Sequence, residues 1–333
     1  MSPQIAVVIG ALGAQGSSVV SALLSSTQPY QIRALTSNAA SPDAIQLASL
    51  SPKIEVLQTN LSSIDSLIAA FTGASFIFAN TVFRVEVFMA QGSKAAQELE
   101  ETHGLNIVQA AARVSRSSGI LKQIIWSTLP DVERLTGGKY KIPHFQSKVA
   151  AERYLLDPSN GLKEKSTFLR VGMYGSNVKQ VPYSPIYVKG AGKYIMTFPC
   201  SASTVIPMIG AETPNVGVIV DAIFAQPDKT LGKHVLGVAE YFTATEWAVA
   251  VSKSLNADVV FLETSLESYE GLWGAAGTEI GLMMKYMEDL GAEGYTAGLC
   301  ADDIVTPKDL GVQGLLRNTE EALKELNWEE ILA

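Results

Sequence analysis

Residues 5–16 read IAVVIGALGAQG. The first five are apolar, with two valines and two isoleucines, a short run of the kind that forms a buried strand. Gly10, Gly13 and Gly16 come next at three-residue spacing, and residues 17–24 place Val19, Val20, Leu23 and Leu24 at helical intervals. Strand, glycine turn and helix are the parts of a dinucleotide-binding βα unit. Gly10 permits a tight turn. Gly13, lacking a Cβ, lets a pyrophosphate approach the backbone, and Gly16 lets the helix pack close to the strand. Leu12, Ala14 and Gln15 complete the loop. The helix start offers free N–H groups and the positive end of its dipole to phosphate. Three glycines alone also mark an ordinary strand-to-helix turn, so the reading depends on the pattern of the chain beyond them.

Beyond Leu24 the chain repeats the βα alternation. Residues 31–36 (QIRALT), 54–57, 75–79 (SFIFA), 121–126 (LKQIIW) and 166–171 (STFLRV) read as strands two to six. Helices are expected over 42–50, over 64–71, over 86–115 with an interruption near His103 and Gly104, and over 143–156. Ser62 is the expected cap of the 64–71 helix, with Asp65 in its first turn, and 132–140 reads as a loop. Six strands with helices between them define the α/β class, a Rossmann-type doubly wound parallel sheet. Residues 1–171 are therefore expected to form an NAD(P)-binding domain. Residues 172–333, where the pattern loosens, are expected to form a smaller mixed α/β lobe that covers substrate and returns segments to the main sheet. In that part the sequence predicts β-like runs within 190–206, a helix over 216–225 and a strand over 234–238. A helix over 243–255 opens with a Thr243/Glu246 capping box, and 271–277 and 291–306 read as loops.

The end of the second strand bears on cofactor choice. NAD-binding units carry an acidic residue there to hold the ribose hydroxyls; this chain has Thr36, Ser37 and Asn38. A carboxylate would repel a 2′-phosphate, whereas hydroxyl and amide donors would not, so NADP(H) is the preferred cofactor and NAD(H) remains admissible. Arg33 is close by but lies within the strand. Asn80 and Thr81 sit at the carboxyl end of the fourth strand, where open α/β sheets bind ligands.

Composition narrows the function classes. The net charge of −8 argues against a nucleic-acid partner, which needs a basic footprint. No window of ~18 uninterrupted apolar residues is present, so no membrane span is expected. No basic segment followed by an apolar run and a cleavage site opens the chain. With only Cys200 and Cys300 as cysteines, a reducing, cytoplasmic location is expected rather than a disulfide framework. His103, His144 and His234 are scattered, and no metal-ligand spacing is apparent.

Residues 143–148 read PHFQSK. On one helix His144 and Lys148, at i and i+4, share a face. A lysine there, near the fifth strand, could hold the nicotinamide ribose, and a histidine can donate or accept a proton near neutral pH. Short-chain dehydrogenases place tyrosine and lysine at this spacing, and here His144 occupies the tyrosine position. An exposed lysine and a backbone-satisfied histidine are the plain alternatives.

GALGAQG, RALTSN, FIFANT, PHFQSK and FLRVGMYGSN occur in the order seen in NmrA-like proteins, atypical members of the short-chain dehydrogenase/reductase superfamily. The similarity continues through YIMTFPCSASTVIPMI, NVGVIV and GKHVLGVAEYFTATEWA, so the chain resembles that family over nearly its whole length. The resemblance implies a Rossmann domain binding NADP(H), with the phosphate loop at residues 10–16. It implies Asn60 and Leu61 beside the adenine, Asn80 and Thr81 along the cofactor, and Lys148 at the nicotinamide ribose. Met173, Tyr174 and Asn177 would border nicotinamide and substrate. There are departures: the family often has arginine where Ser37 stands, Asn60 replaces a common aspartate, and Val171-Gly172 replaces an Arg-Leu-Pro or Arg-Pro type segment.

The family contains both reductases and cofactor-sensing regulators, so two functions are expected to compete. One is an NADP(H)-dependent oxidoreductase of an apolar, aromatic or polycyclic small molecule. Lys148 would orient the cofactor, Tyr174 or His144 would supply the proton, and Phe83, Phe88, Met89, His144, Tyr174, Tyr183, Tyr187, Phe198 and Trp273 are the candidate lining. The other is a redox sensor that binds NAD(P) without turnover and passes its state to a protein partner.

Overall fold

The structure is a computed structural model that describes residues 4–332. The six expected strands are β1 (Gln4–Ile9), β2 (Tyr30–Thr36), β3 (Ile54–Gln58), β4 (Ala74–Ala79), β5 (Gln123–Thr128) and β6 (Ser166–Val171). All run parallel, and β4, β5 and β6 are buried at every position. The side chains alternate between two cores. Ala6 and Val8 face α1 (Ala14–Ser25), while Val7 and Ile9 face α3 (Ile64–Phe71), α5 (Ser93–Ser118) and α8 (Val149–Leu156). Helices on both faces explain why these strands read as unbroken apolar runs.

The main sheet does not end at β6. In order β14-β11-β6-β5-β4-β1-β2-β3, it takes in β11 (His234–Gly237) and β14 (Ile304–Val305), both parallel. The later half also supplies α9 (Glu212–Ala225), which lies against α1. Gly217 makes that approach possible: a Cβ there would stand 2.1 Å from the Ser18 carbonyl oxygen, and Gly217 N–H donates to Ser18 Oγ at 2.7 Å. The rest of 172–332 builds two three-stranded sheets, β12-β10-β7 and β13-β9-β8, over a third core holding Phe198, Trp247, Tyr269 and Met284. Its strands are β7 (Met173–Tyr174), β8 (Ile186–Val188), β9 (Lys193–Phe198), β10 (Val205–Gly210), β12 (Glu240–Thr243) and β13 (Val259–Glu263). The Thr243/Glu246 capping box is formed at the start of α11 (Ala244–Leu255).

Several local expectations are corrected. Ser63, not Ser62, caps α3, accepting from Ser66 N–H. The long helical region breaks at Gly92 (φ +89°) between α4 (Val85–Gln91) and α5, not at His103–Gly104. Gly104 stays inside α5, where its missing Cβ leaves room for Trp126 and Ala151, 3.1 and 3.2 Å from where that atom would lie. Ser127 and Thr128 belong to β5 rather than lying past its end. The 132–140 loop contains the short helix α6 (Val132–Leu135), capped by Asp131. The 143–156 helix is two helices, α7 (Pro143–Gln146) and α8, because the chain tightens at Lys148, whose N–H donates to the Phe145 carbonyl three residues back. The 271–277 loop is helical within α12 (Leu266–Leu290), kinked at Gly274 (φ +57°). Among the described residues no helix is long and apolar enough to cross a membrane, and no cluster of metal-ligating side chains occurs.

Candidate active site

A cleft of about 960 Å³ opens at the carboxyl ends of β1, β4, β5 and β6. Its floor at one end is the glycine turn: Gly10, Leu12, Gly13, Ala14 and Gln15 line it. Gly10 has φ +66°, the turn only glycine makes without strain. Gly16 lies behind the turn, off the wall, where a Cβ would stand 2.1 Å from the Gly10 carbonyl oxygen. So Gly10 and Gly16 take the roles read from the sequence. Gly13 is the N-cap of α1 and makes no side-chain capping bond, and the first turn holds no acidic residue. The first-turn N–H groups of α1, with no acidic side chain among them, suit a bound anion. The residues present fit a dinucleotide diphosphate.

Along the cleft come Leu35, Thr36 and Ser37 from the end of β2, then Asn80 and Thr81 from the end of β4. Ser37 is exposed. Asn38 is off the wall, its Oδ1 taking Ala40 N–H. Asn60 and Leu61 are off it too: Asn60 Oδ1 holds Ser62 N–H, and the Leu61 carbonyl takes Asn106 Nδ2. Arg33 points elsewhere, to Glu55 and the carbonyls of Ala70 and Thr72.

Lys148 lines the cleft but is 8% exposed, and its ammonium is held within the protein. Nζ donates to Glu100 Oε1 at 2.6 Å, to the Thr81 carbonyl at 3.1 Å and to Thr81 Oγ1 at 3.2 Å. Glu100, 1% exposed, also accepts from Thr81 Oγ1 and from Ser147 Oγ. Burial works to raise the Glu100 carboxyl, but the Lys148 charge and the hydrogen bonds from Lys148, Ser147 and Thr81 outweigh it and hold the group below the usual carboxylate range. Sequence reading missed Glu100. The signal was there: Ala96, Glu100, Gly104, Ile107 and Ala111 form one buried stripe of α5, and a lone acid on such a stripe needs a partner.

Much of the cleft wall is apolar. Phe83, Phe88, Met173, Tyr183 and Met283 line it, with the exposed Met89. Tyr174 joins them; its hydroxyl accepts from Gln15 Nε2 at 2.7 Å, and burial pushes its pKa up to about 12. Asn177, Gln180 and Tyr295 add polar atoms. Phe198 and Trp273 do not line the cleft. Phe198 is fully buried, stacked on Trp247 at 5.6 Å, and Trp273 packs against the same core. Tyr187 is exposed on β8 beside Tyr194. Aromatic content could not separate lining from core, because both bury rings.

His144 is on the wall, with Nδ1 2.6 Å from Glu279 Oε1, and the same oxygen accepts His144 N–H at 2.9 Å. Glu279 is 8% exposed and comes from α12, so the pair joins the two halves of the chain. Behind the cleft, Thr128 Oγ1 donates to Glu152, which is also bonded to His234 Nε2 at 3.1 Å, while Arg170 holds the Tyr295 carbonyl at 2.8 Å.

A parallel sheet with a glycine turn and a cleft at its strand ends is a Rossmann-type architecture of the kind that binds dinucleotides. The NmrA-like family profile matches residues 2–326, and the chain belongs to that family. It is 27% identical over 246 residues to the NmrA-like family domain-containing oxidoreductase hkm9 of Aspergillus hancockii, over 72% of this chain and 69% of that one. Among solved structures, NmrA, a negative transcriptional regulator, in complex with NADP matches over 99% of this chain and 97% of that one, with TM-score 0.72 and 20% identity. The Citrobacter sp. triphenylmethane reductase complexed with NADP(H) matches over 97% and 99%, with TM-score 0.67 and 20% identity. Identity at that level carries the fold and not the activity.

Proposed function

We propose that the protein is an NADP(H)-dependent oxidoreductase that reduces an apolar, aromatic or polycyclic small molecule. One observation carries this reading: the cleft runs without a break from the glycine turn into a chamber walled by Phe83, Phe88, Met89, Tyr183 and Met283. A dinucleotide needs the first part; an apolar wall with a few fixed polar groups is what a second, apolar ligand needs. The free amides at the start of α1 would hold the diphosphate, Ser37 the 2′-phosphate end, and Asn80 and Thr81 the length of the cofactor. Lys148, Met173, Tyr174 and Asn177 would border the nicotinamide, which when bound supplies hydride. NADP(H) is preferred because no carboxylate closes the end of β2. The family's oxidoreductases, hkm9 among them, support a small-molecule substrate.

A second reading has its own observation. All three ammonium protons of Lys148 have acceptors inside the protein, a full complement for that group. A cofactor-sensing regulator that binds NAD(P) and a protein partner needs Lys148 to order the site, not to exchange protons, and NmrA is a regulator. Incubation with NADPH and a panel of carbonyl, imine and conjugated-alkene compounds separates the two. Substrate-dependent loss of the reduced-nicotinamide absorbance supports the reductase. Tight cofactor binding with no oxidation across the panel supports the sensor, and no binding of either nucleotide at millimolar excess sinks both.

A further inference from the structure

We propose that Glu279 makes His144 the proton donor of the cleft, as a carboxylate–histidine dyad assembled from the two halves of the chain; this rests on the reductase reading. An ionised carboxylate only accepts hydrogen bonds. Glu279 Oε1 already takes the His144 backbone N–H at 2.9 Å, so the 2.6 Å contact to Nδ1 places the ring proton on Nδ1. That fixes the tautomer and leaves Nε2 as the reactive nitrogen. Nε2 makes no hydrogen bond among the described residues, and the ring, side chain 20% exposed, forms part of the cleft wall edge-on to Phe83.

The other proton carriers on the wall are worse placed. Lys148 has each N–H engaged by Thr81 or Glu100. Tyr174, Tyr183 and Tyr295 also line the wall, and burial pushes all three hydroxyls up and makes them weak acids. The remaining charged groups of the wall are Glu279 itself and Lys148, the latter balanced by Glu100 just behind it, so no uncompensated cation stands on the wall to oppose protonation of His144. The dyad therefore sets Nε2 on the cleft with a buried carboxylate behind the ring, placed to stabilise an imidazolium when one forms, as histidine–carboxylate pairs do in other enzymes.

Atoms and electrons balance in the resulting step. The electrophilic carbon of a C=O or conjugated C=C bond takes a hydride from reduced nicotinamide, and the displaced π pair becomes an oxyanion or enolate. The Nε2–H bond of the imidazolium breaks, its proton bonds to that oxygen, and its electron pair stays on the imidazole. Solvent then returns a proton to Nε2. Glu279 touches neither substrate nor cofactor in this scheme; it is a positioning residue, and His144 is the catalytic one.

The test uses the full chain and Glu279→Gln, which keeps an acceptor oxygen and removes the charge, with His144→Gln beside it. The ring nitrogens of His144 are first titrated by nuclear magnetic resonance without cofactor. Glu279→Gln is expected to weaken proton binding to His144 about tenfold or more; a change under about twofold overturns the proposal. With an aldehyde, ketone or enone that the wild type turns over, each variant is expected to lose about 100-fold in kcat at nearly constant KM. The double variant is expected to be no slower than His144→Gln, because the two act as one unit. Independent, multiplying losses overturn the dyad and leave the reductase reading standing. Absence of turnover in the wild type defeats the reductase reading, and the dyad with it, whatever the titration gives.

Discussion

Replacing Glu100 with glutamine strands a buried ammonium. Lys148 keeps its two bonds to Thr81, but its counter-charge is gone and it is 8% exposed. Breaking such a pair by removing one partner costs about 3–5 kcal/mol. For 333 residues, unfolding entropy near 2.1 cal/mol/K per residue gives about 0.7 kcal/mol/K, so the melting temperature should fall by about 4–7 °C. Lys148→Met should do similar damage by stranding the Glu100 carboxylate. Glu100→Gln with Lys148→Met should recover most of the loss, because neither charge is then buried alone. Acid adds an independent check. Glu100 is held below its ordinary value of 4.5 in the folded chain. Its stabilising effect is therefore complete above 4.5 and is lost as pH falls through the lower folded value. The stability gap between wild type and Glu100→Gln should stay constant above that pH and narrow below it. Reversible urea unfolding and calorimetry measure all of this. Single variants that melt within about 1 °C of wild type, or losses that simply add in the double variant, would refute the reasoning.

Close approaches in the fold lead to further expected outcomes. Gly16→Ala drives a Cβ to 2.1 Å from the Gly10 carbonyl oxygen, so the turn must shift; calorimetric NADPH affinity should drop about tenfold or more with the sheet intact. Ser37→Asp places a carboxylate on the cleft at the end of β2, and the ratio of NADPH to NADH affinity should fall about tenfold. Gly217→Ala forces α1 and α9 apart at Ser18; denaturant titration should show a loss of about 1–3 kcal/mol with the slope unchanged.

The main sheet was legible because its strands are covered on both faces and therefore read as plain apolar runs between helical intervals. Helix breaks were not. Gly92 and Gly104 look alike in the sequence, yet one sits at φ +89° and the other is helical under a tryptophan. The glycine turn, Asn80, Thr81 and Lys148 could be placed because each lies at a strand end or beside one. Phe198 and Trp273 could not be told from lining residues, since packing and ligand contact bury aromatic rings alike. Glu100 and Glu279 depend on pairs separated by 48 and 135 positions, distances over which no local pattern reports.

The seating of β11 and β14 on the outer edge of β6 has a consequence for synthesis. A ribosome that has released the first 171 residues has delivered every strand of the nucleotide half except the two that cover its open flank. The side of the first helix that meets residues 212–225 stays bare until that segment emerges, and the flank until residues 234–237 and 304–305 follow. The nucleotide half is thus neither a module that can be cut free at one joint nor one that matures before its neighbour. Grafts between relatives should exchange the threaded segments together rather than splice once at the midpoint.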